Sequence, residues 1–170
     1  MTRARHILLA AGAGLALIGA SAIVPSDPII VWNASASVPV GLYLLTPIEQ
    51  LHVGDLVAVT APAQLEGWMV ERGYLGPGAP LLKHVAALPP ACVCRIGTTI
   101  LIDGSAVAKA LPRDRIGRPL PVWRGCQRLA KGEVFLLNAD APRSLDGRYF
   151  GPLDPKVIIG RATPLWTREG

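Results

Sequence analysis

Asn33-Ala-Ser-Ala-Ser-Val-Pro-Val-Gly-Leu-Tyr43 is one of two stretches in which this sequence suggests chemistry, and it contains Ser37. The other, Ala79-Pro-Leu-Leu-Lys-His-Val-Ala-Ala-Leu88, sets Lys83 among apolar residues. A serine hydroxyl is a weak nucleophile until a neighbouring base takes its proton, and a lysine can be that base only after burial lowers its pKa. Ser37 and Lys83 are therefore a candidate nucleophile and base.

Lys83 lies in a very apolar setting for a lysine. It is one of only four lysines in the chain, it is flanked by Leu82 and Val85, and no acidic residue lies within several positions of it. The structural alternative is a surface lysine whose long side chain snorkels to solvent. If the amine is buried instead, lowering its pKa from about 10.4 to near 8 costs roughly 3 kcal/mol, a shift that burial commonly imposes.

An uncharged apolar run precedes the serine stretch. Residues 7–24 are eighteen residues without a charge. As a helix they would be about 27 Å long, slightly short of a hydrocarbon core of about 30 Å. The run predicts one transmembrane helix, and the alternative is a cleaved secretory signal, because Ala20-Ser-Ala22 resembles a cleavage site.

The charges beside this run predict its orientation. Arg3 and Arg5 precede it and Asp27 follows it, and the positive-inside rule places such an N-terminus in the cytoplasm. Residues 1–25 are therefore predicted to form a cytoplasmic N-terminus and a single-pass anchor in the inner membrane, with the lipid bilayer as a partner. Residues 26–170 are predicted to form a periplasmic domain.

The net charge of +5 comes mostly from arginines scattered through the second half of the chain. These arginines form no block of like charges, and few aromatic residues lie between them. The pattern argues against nucleic-acid binding and favours a solvated surface near anionic lipid or a protein partner. Nothing in the sequence points to a cofactor.

The three cysteines, Cys92, Cys94 and Cys126, are too few and wrongly spaced for a structural zinc site. We expect no metal. In an exported domain one disulfide is expected, between Cys126 and either Cys92 or Cys94. Two residues apart on a strand, Cys92 and Cys94 face the same side, so the sequence leaves both pairings open.

Short β-branched and apolar segments, separated by glycine, proline and aspartate, predict a mainly β domain. The predicted strands are residues 28–33, 56–60, 81–88, 92–96, 99–102, 133–138 and 157–162. Asp103-Gly104 is a predicted hairpin turn. One short helix is predicted between Pro62 and Gly73, where apolar residues recur at helical spacing.

Several short motifs occur in an order known from one enzyme family. Ser37-Val-Pro39, the lysine segment ending in Ala87-Leu88-Pro89, and Ser144-Leu-Asp146-Gly-Arg148 resemble the boxes of bacterial type I signal peptidases. Glu71-Arg-Gly-Tyr-Leu75 and Asp114-Arg-Ile-Gly117-Arg118-Pro-Leu-Pro121 are similar to the conjugative-transfer branch, the TraF-type peptidases. The resemblance covers essentially the whole chain. It implies a signal-peptidase-like β domain with a short helix, tethered by one N-terminal transmembrane helix.

The resemblance also implies the central roles in the site. Ser37 is the implied nucleophile and Lys83 the implied general base of a Ser/Lys dyad. Ser35 would give its hydroxyl to the oxyanion site beside the backbone N–H of Ser37, an effect of about 3 kcal/mol when one such donor is lost elsewhere. The alternative for Ser35 is a local backbone hydrogen bond.

Three further residues match the family's supporting positions. Ser144 would hold the lysine amine toward the nucleophile, and Asp146 and Arg148 would support that serine as a local ion pair. Otherwise these are turn residues with a surface pair worth under about 1 kcal/mol. The chain departs from the ordinary pattern here, with Gly147 where the family has serine and Asn138 within the segment where it has Gly-Asp-Asn.

A Ser-His-Asp triad with His52 or His84 as base is the competing catalytic arrangement. However, no Gly-x-Ser-x-Gly motif surrounds Ser37, and on a strand His84 faces away from the side of Lys83. The sequence therefore favours the lysine over a histidine as the base.

The resemblance implies a membrane-anchored serine endopeptidase that processes exported precursors at the outer face of the cytoplasmic membrane. The implied substrate is a membrane-embedded, pilin-like precursor peptide of a conjugative transfer system, released by water or by head-to-tail cyclisation. The alternatives are a housekeeping type I signal peptidase and a non-catalytic exported component of a transfer channel. A self-cleaving repressor of the LexA type shares the dyad, but this chain has an apolar segment where a DNA-binding domain would be.

Overall fold

A computed structural model describes residues 5–7, 9–15 and 30–168. Residues 9–15 are helical. Most of the predicted anchor, and the predicted boundary after residue 25, lie outside the described residues. Among the residues that are described, no helix is both long and apolar enough to cross a membrane.

The described part of the chain is mainly β, as predicted. Its strands are β1 Ile30–Asn33, β2 Val40–Thr46, β3 Leu56–Val59, β4 Leu81–Ala87, β5 Cys92–Ile96, β6 Thr99–Ile102, β7 Ser105–Lys109, β8 Gly125–Arg128, β9 Phe135–Leu136 and β10 Ile158–Arg168. Within residues 30–168 the helices are α1 Ala63–Glu71, the short α2 Gly147–Phe150 and a 3-10 turn at Pro155–Val157.

Two antiparallel sheets make up the domain. The larger has the strand order β1-β2-β10-β3-β4-β9, and the smaller has the order β7-β6-β5-β8. The larger sheet positions both candidate residues, because Ser37 lies in the turn that joins β1 to β2 and Lys83 lies within β4. Strand β3 places Val57 directly opposite Lys83.

The centre of the larger sheet is buried on both faces. On β3, Ala58 packs in one apolar cluster, while Val57 and Val59 pack in another on the opposite face. On β4, Leu82 joins the first of these clusters and Val85 the second. Burial on both faces explains why these strands read as continuous apolar runs in the sequence.

The local turn and helix signals are confirmed. Asp103 and Gly104 have φ angles of 48° and 81° and join β6 to β7, which is the positive-φ geometry of a two-residue hairpin turn. Helix α1 begins after Pro62, and Gly73 follows it with a φ of 69°. In both places glycine supplies a conformation that other residues adopt at a cost.

The strand prediction was incomplete in two ways. Of the predicted strand over residues 133–138, only β9, at Phe135–Leu136, is a strand, because Asn138 leaves the ladder and bonds through its side chain. Strands β2, β7 and β8 were not predicted at all. All four residues of β8 are exposed, so it has none of the alternation that marks a half-buried strand.

The predicted disulfide is confirmed, and the strand register selects its partner. Cys94 and Cys126 face each other across β5 and β8 and are bonded, with a sequence separation of 32 residues. Cys92 lies opposite Arg128 and is a free thiol.

Reduction of this bridge is expected to lower the free energy of unfolding by about 3 to 4 kcal/mol, since it frees a loop of 32 residues in the unfolded chain. Alkylation followed by mass spectrometry should label one cysteine before reduction and three afterwards. A Cys92→Ser control should keep the bridge and its stability. Three labelled cysteines in the unreduced protein would contradict the bridge.

Candidate active site

The turn that carries Ser37 is fixed by two side chains from the adjacent strands. The buried Asn33 Nδ2 donates to the carbonyl oxygens of Ser35, Val38 and Pro39 at 2.8, 3.2 and 3.0 Å. The Tyr43 hydroxyl donates to the Pro39 carbonyl at 2.6 Å. Asn33 was missed as a site residue, although an asparagine that ends a strand is a known turn signal.

Ser35 and Ser37 form a short hydroxyl chain that ends at Asn33. The backbone N–H and the hydroxyl of Ser35 both donate to Asn33 Oδ1, at 3.1 and 3.0 Å. A hydroxyl has a single hydrogen to donate. The 3.0 Å contact between Ser37 Oγ and Ser35 Oγ is therefore one in which Ser37 donates. Ser35 must turn its hydroxyl away from Asn33 before it can donate to an oxyanion.

Lys83 is buried, as predicted, with a relative exposure of 4%. Its Nζ donates to Ser144 Oγ at 3.0 Å, which is the hydrogen bond that the resemblance implied. Desolvation lowers the pKa of Lys83 to about 8, with Asp146 opposing this shift and Arg148 adding to it. A large share of the amine is therefore neutral slightly above neutral pH and can accept a proton.

Four of the six predicted site residues line one cavity of about 800 Å³, and Asp146 and Arg148 do not. Among the residues that line it are Ser35, Ser37, Lys83 and Ser144. No hydrogen bond joins Lys83 Nζ to Ser37 Oγ within residues 30–168, since each atom bonds to another serine. Catalytic hydrogen bonds are often long or poorly aligned in unliganded sites and tighten only when substrate binds.

Asp146 and Arg148 form an ion pair that is almost completely buried. Arg148 Nε and Nη2 each lie 3.0 Å from a carboxylate oxygen of Asp146, and both residues have a relative exposure of 3% or less. Arg148 Nη2 also donates to the carbonyl oxygens of Asn138 and Ala141. This burial contradicts the alternative of an exposed surface pair and ties the pair to the segment that leads to Ser144.

Asn138 connects the lysine strand to this segment, and it was also missed as a site residue. Its Nδ2 donates to the Leu82 carbonyl at 3.0 Å, and its Oδ1 accepts from the backbone N–H of His84 at 3.0 Å. Its own backbone N–H donates to Asp146 at 3.1 Å. These bonds bracket Lys83 on both sides and hold β4 against the turn that carries Ser144.

Comparison with known proteins agrees with this geometry. Residues 3–166 match the family described as signal peptidase, peptidase S26. This chain belongs to the signal peptidase family. The match covers the turn of Ser37, the lysine strand and the segment of Ser144 together.

The relatives of this signal peptidase family member come from the conjugative-transfer branch. It is 35% identical over 147 residues to the conjugal transfer protein TraF of Agrobacterium fabrum, covering 79% of this chain and 81% of the relative. It is 29% identical over 175 residues to a plasmid transfer protein TraF of Escherichia coli, covering 96% and 95%. The predicted resemblance to the TraF type is confirmed.

A solved signal peptidase I from Enterococcus faecalis V583 is similar over 69% of this chain and 100% of its own chain. The two share 19% sequence identity with a TM-score of 0.41. This similarity is too low to transfer the role of any residue.

The departure at Gly147 from the ordinary signal peptidase pattern has a steric reason. A Cβ at this position would lie 2.7 Å from both the Leu136 carbonyl oxygen and the Phe135 ring. The Gly147 carbonyl accepts from Trp123 Nε1 at 2.9 Å. Because Phe135 and the Leu136 carbonyl fill the space, a serine does not fit between Asp146 and Arg148 in this chain.

His84 lines another cavity with Ser37 and Asp140, but among residues 30–168 it is hydrogen-bonded to neither of them, as a triad would require. His84 is exposed, and its Nδ1 lies 3.1 Å from the Asn138 amide oxygen. Within residues 30–168 its ring is hydrogen-bonded to no carboxylate. His52 lies near Asp55 in the turn before β3 and does not line the cavity of Ser37. The lysine is the better candidate for the base.

Proposed function

We propose that this signal peptidase family member is a membrane-anchored serine endopeptidase in which Ser37 is the nucleophile and Lys83 the general base. The observation that carries the proposal is a buried lysine, with its pKa lowered to about 8, in the same cavity as a turn serine. Ser144 holds the amine in that cavity. A neutral amine beside a hydroxyl is what this chemistry needs.

The steps of the reaction follow from these placements. Neutral Lys83 takes the hydroxyl proton as Ser37 Oγ attacks the scissile carbonyl carbon. The Ser35 hydroxyl, turned from Asn33, and the Ser37 backbone N–H stabilise the oxyanion. Protonated Lys83 then gives its proton to the leaving amine, which separates from an acyl-enzyme on Ser37. A water molecule, or an amino group of the substrate, then attacks the ester carbonyl; Lys83, neutral again, takes the proton of this nucleophile and returns it to Ser37 Oγ as the ester bond breaks.

We further propose that the domain sits at the outer face of the inner membrane. The exposed Trp32 on β1 and Trp166 on β10 are stacked with ring centroids 6.0 Å apart, and Ile30 and Leu165 beside them are also exposed. Tryptophan prefers the membrane interface. This apolar surface begins a few residues after the predicted anchor at 7–24, which supports a periplasmic domain held against the bilayer.

The proposed substrate is the pilin-like precursor of a conjugative transfer system. The support is that the relatives are named as conjugal and plasmid transfer proteins. An extended peptide that adds to a strand edge would present its backbone to Ser37. The mass of the mature product distinguishes the two acceptors, since a cyclised chain is one water lighter than a hydrolysed one.

Cleavage by the purified full-length protein is expected to rise with pH through an apparent pKa of about 8, because only neutral Lys83 can act as the base. The neutral fraction grows from about a tenth at pH 7 to about nine tenths at pH 9. The measurement is kcat/KM for a precursor peptide between pH 6 and 10. An optimum near pH 6 that is lost in His84→Ala would contradict the lysine base.

A further inference from the structure

Two sequence motifs with no part in the dyad meet beside the active-site cavity. Arg72 and Tyr74 lie directly after α1, and Asp114 and Arg118 lie in the turn over residues 113–119. The Tyr74 hydroxyl donates to Asp114, Arg118 Nε lies 2.6 Å from the same carboxylate, and Arg118 Nη2 donates to the Arg72 carbonyl at 3.0 Å. These contacts form a hydrogen-bonded wall beside the cavity that contains Ser37, and Tyr74 lines that cavity.

A second cavity of about 490 Å³ adjoins this wall and is strongly basic. It is lined by one acidic residue, Asp114, and by Arg72, Arg113, Arg115, Arg118 and Arg143. Two of these arginines, Arg115 and Arg143, also line the cavity of Ser37 and Lys83. Arg115 and Arg143 therefore lie at the junction of the two cavities.

Of the five arginines that line the basic cavity, Arg115 and Arg143 are the two whose side chains have no protein partner among the described residues. Arg72 donates to the Pro119 carbonyl, Arg113 to the Gly117 carbonyl, and Arg118 to Asp114. Within residues 30–168, Arg115 and Arg143 donate no hydrogen bond and form no ion pair. Desolvation raises the pKa of Asp114, but the hydrogen bonds from Tyr74 and Arg118 lower it by more, so the net pKa lies below the usual range. The Asp114 carboxylate therefore stays ionised and is bonded to groups other than Arg115 and Arg143.

The backbones that carry the two free guanidinium groups are held in place. Asp114 Oδ1 accepts the backbone N–H groups of Ile116 and Arg118 at 3.0 and 2.8 Å, which fixes the turn around Arg115. Arg143 immediately precedes Ser144, whose backbone N–H donates to the Ala141 carbonyl at 3.0 Å. Preorganised backbones reduce the entropy lost when these side chains bind a ligand.

We propose that Arg115 and Arg143 form a subsite for a carboxylate of the peptide substrate, an Asp or Glu side chain a few residues from the scissile bond. This proposal rests on the proposed function, because it assumes that the substrate peptide occupies the cavity of Ser37. Arginine matches a carboxylate with two parallel hydrogen bonds. Asp140 also lines the cavity of Ser37, and it lines the cavity that Ser37 shares with His84. An acidic substrate side chain beside Asp140 would meet a like charge, which favours its placement at Arg115 and Arg143 instead.

The test uses the full-length protein in neutral detergent and labelled, alanine-rich peptides. Each peptide carries a single Glu, or the matched Gln, which is moved position by position along the sequence. Binding is measured by fluorescence anisotropy with Ser37→Ala, and KM and kcat with the protein that retains Ser37. The variant is Arg115→Gln with Arg143→Gln. The control is Arg124→Gln with Lys131→Gln, which removes the same charge from exposed residues outside both cavities.

The expected result is that Glu binds about tenfold more tightly than Gln at one position or two adjacent ones. The preference should be found in KM, because the contact is made equally in the ground and transition states. It should shrink as salt is added, since partly exposed charges are screened. The Arg115/Arg143 variant should bind Glu and Gln peptides equally, and the control should keep the preference.

Three outcomes overturn the subsite. The first is a Glu preference that survives in the Arg115/Arg143 variant, and the second is no Glu preference at any position. The third is found by repeating the cleavage assay with anionic lipid vesicles in place of detergent. If the Arg115/Arg143 variant is slower only with these vesicles, and equally for Glu and Gln peptides, the two arginines bind lipid headgroups and not a substrate carboxylate. If no peptide is cleaved but the arginine-dependent preference persists in binding, the proposed catalysis fails while the subsite stands.

Discussion

Replacing Ser37 with alanine, or Lys83 with methionine, is expected to abolish precursor cleavage, lowering kcat by at least about 10³-fold in each case. Ser37→Ala removes the attacking oxygen. Lys83→Met keeps the apolar stem but removes the amine, and Lys83 is the one lysine among the described residues that line the cavity it shares with Ser37. The measurement is single-turnover cleavage of a precursor peptide by the purified full-length variants. The double variant should be no slower than the slower single variant, because the two groups act as a unit.

Ser35→Ala provides a graded comparison. Its hydroxyl contacts Ser37 Oγ but is not the proposed nucleophile or base. Loss of one oxyanion donor should slow cleavage by about 10²-fold and leave it measurable. Lys83→Met with near wild-type activity would eliminate the lysine as the base, and loss of activity in His84→Ala alone would favour the histidine.

Unfolding is not expected to explain the loss of activity in Lys83→Met. The pKa of this lysine falls from 10.5 to about 8 in the fold. Between these pH values the unfolded chain binds more protons, so the free energy of unfolding rises with pH across this window. Below about pH 8 the buried amine costs the fold roughly 3 kcal/mol. Methionine removes this cost, and the variant should be at least as stable as the wild type at pH 7.

Breaking the buried Asp146–Arg148 pair is expected to cause the largest loss of stability. Arg148→Met leaves the Asp146 carboxylate, 3% exposed, without a counter-charge, and it removes the donor to two carbonyl groups. An uncompensated buried charge of this kind costs about 3 to 5 kcal/mol. Urea unfolding monitored by circular dichroism gives the difference in the free energy of unfolding.

Two variants make this measurement specific. Lys156→Met breaks the exposed pair between Lys156 and Asp154 and should change stability by less than about 1 kcal/mol. Asp146→Leu combined with Arg148→Met removes both charges and should recover part of the loss. If Arg148→Met costs no more than Lys156→Met, the pair does not hold the segment of Ser144 in place.

The sequence predicted the parts of the fold that depend on local preference. The mainly β class, the hairpin at Asp103-Gly104 and the helix between Pro62 and Gly73 follow from β-branched content and turn residues, and all are present. Strand β8 could not be predicted, because all four of its residues are exposed and it joins β5 through backbone pairing and the disulfide, with no buried apolar face. Backbone pairing leaves no trace in side-chain pattern.

The candidate site was predictable in its residue types and not in its contacts. Lys83 stood out as a lysine in an apolar run, and the family motifs named Ser37, Ser144, Asp146 and Arg148. Neither an apolar setting nor the family motifs singled out Asn33 or Asn138, although Asn33 has the turn signal of an asparagine that ends a strand. Their role depends on side-chain amides that reach backbone groups on other segments, and the Asn138 amide bonds across 56 positions to Leu82.

By itself, the sequence determined the family, the β class and the pair of groups proposed for the chemistry, because each depends on which residues are present and in which order. The tertiary structure decided which cysteine bonds to Cys126, since the β5–β8 register places Cys94 opposite it. It also decided that Asp146 and Arg148 are buried and that Arg115 and Arg143 meet at the active-site cavity. Burial and pairing depend on segments that approach from distant parts of the chain, and spacing along the sequence does not contain that information.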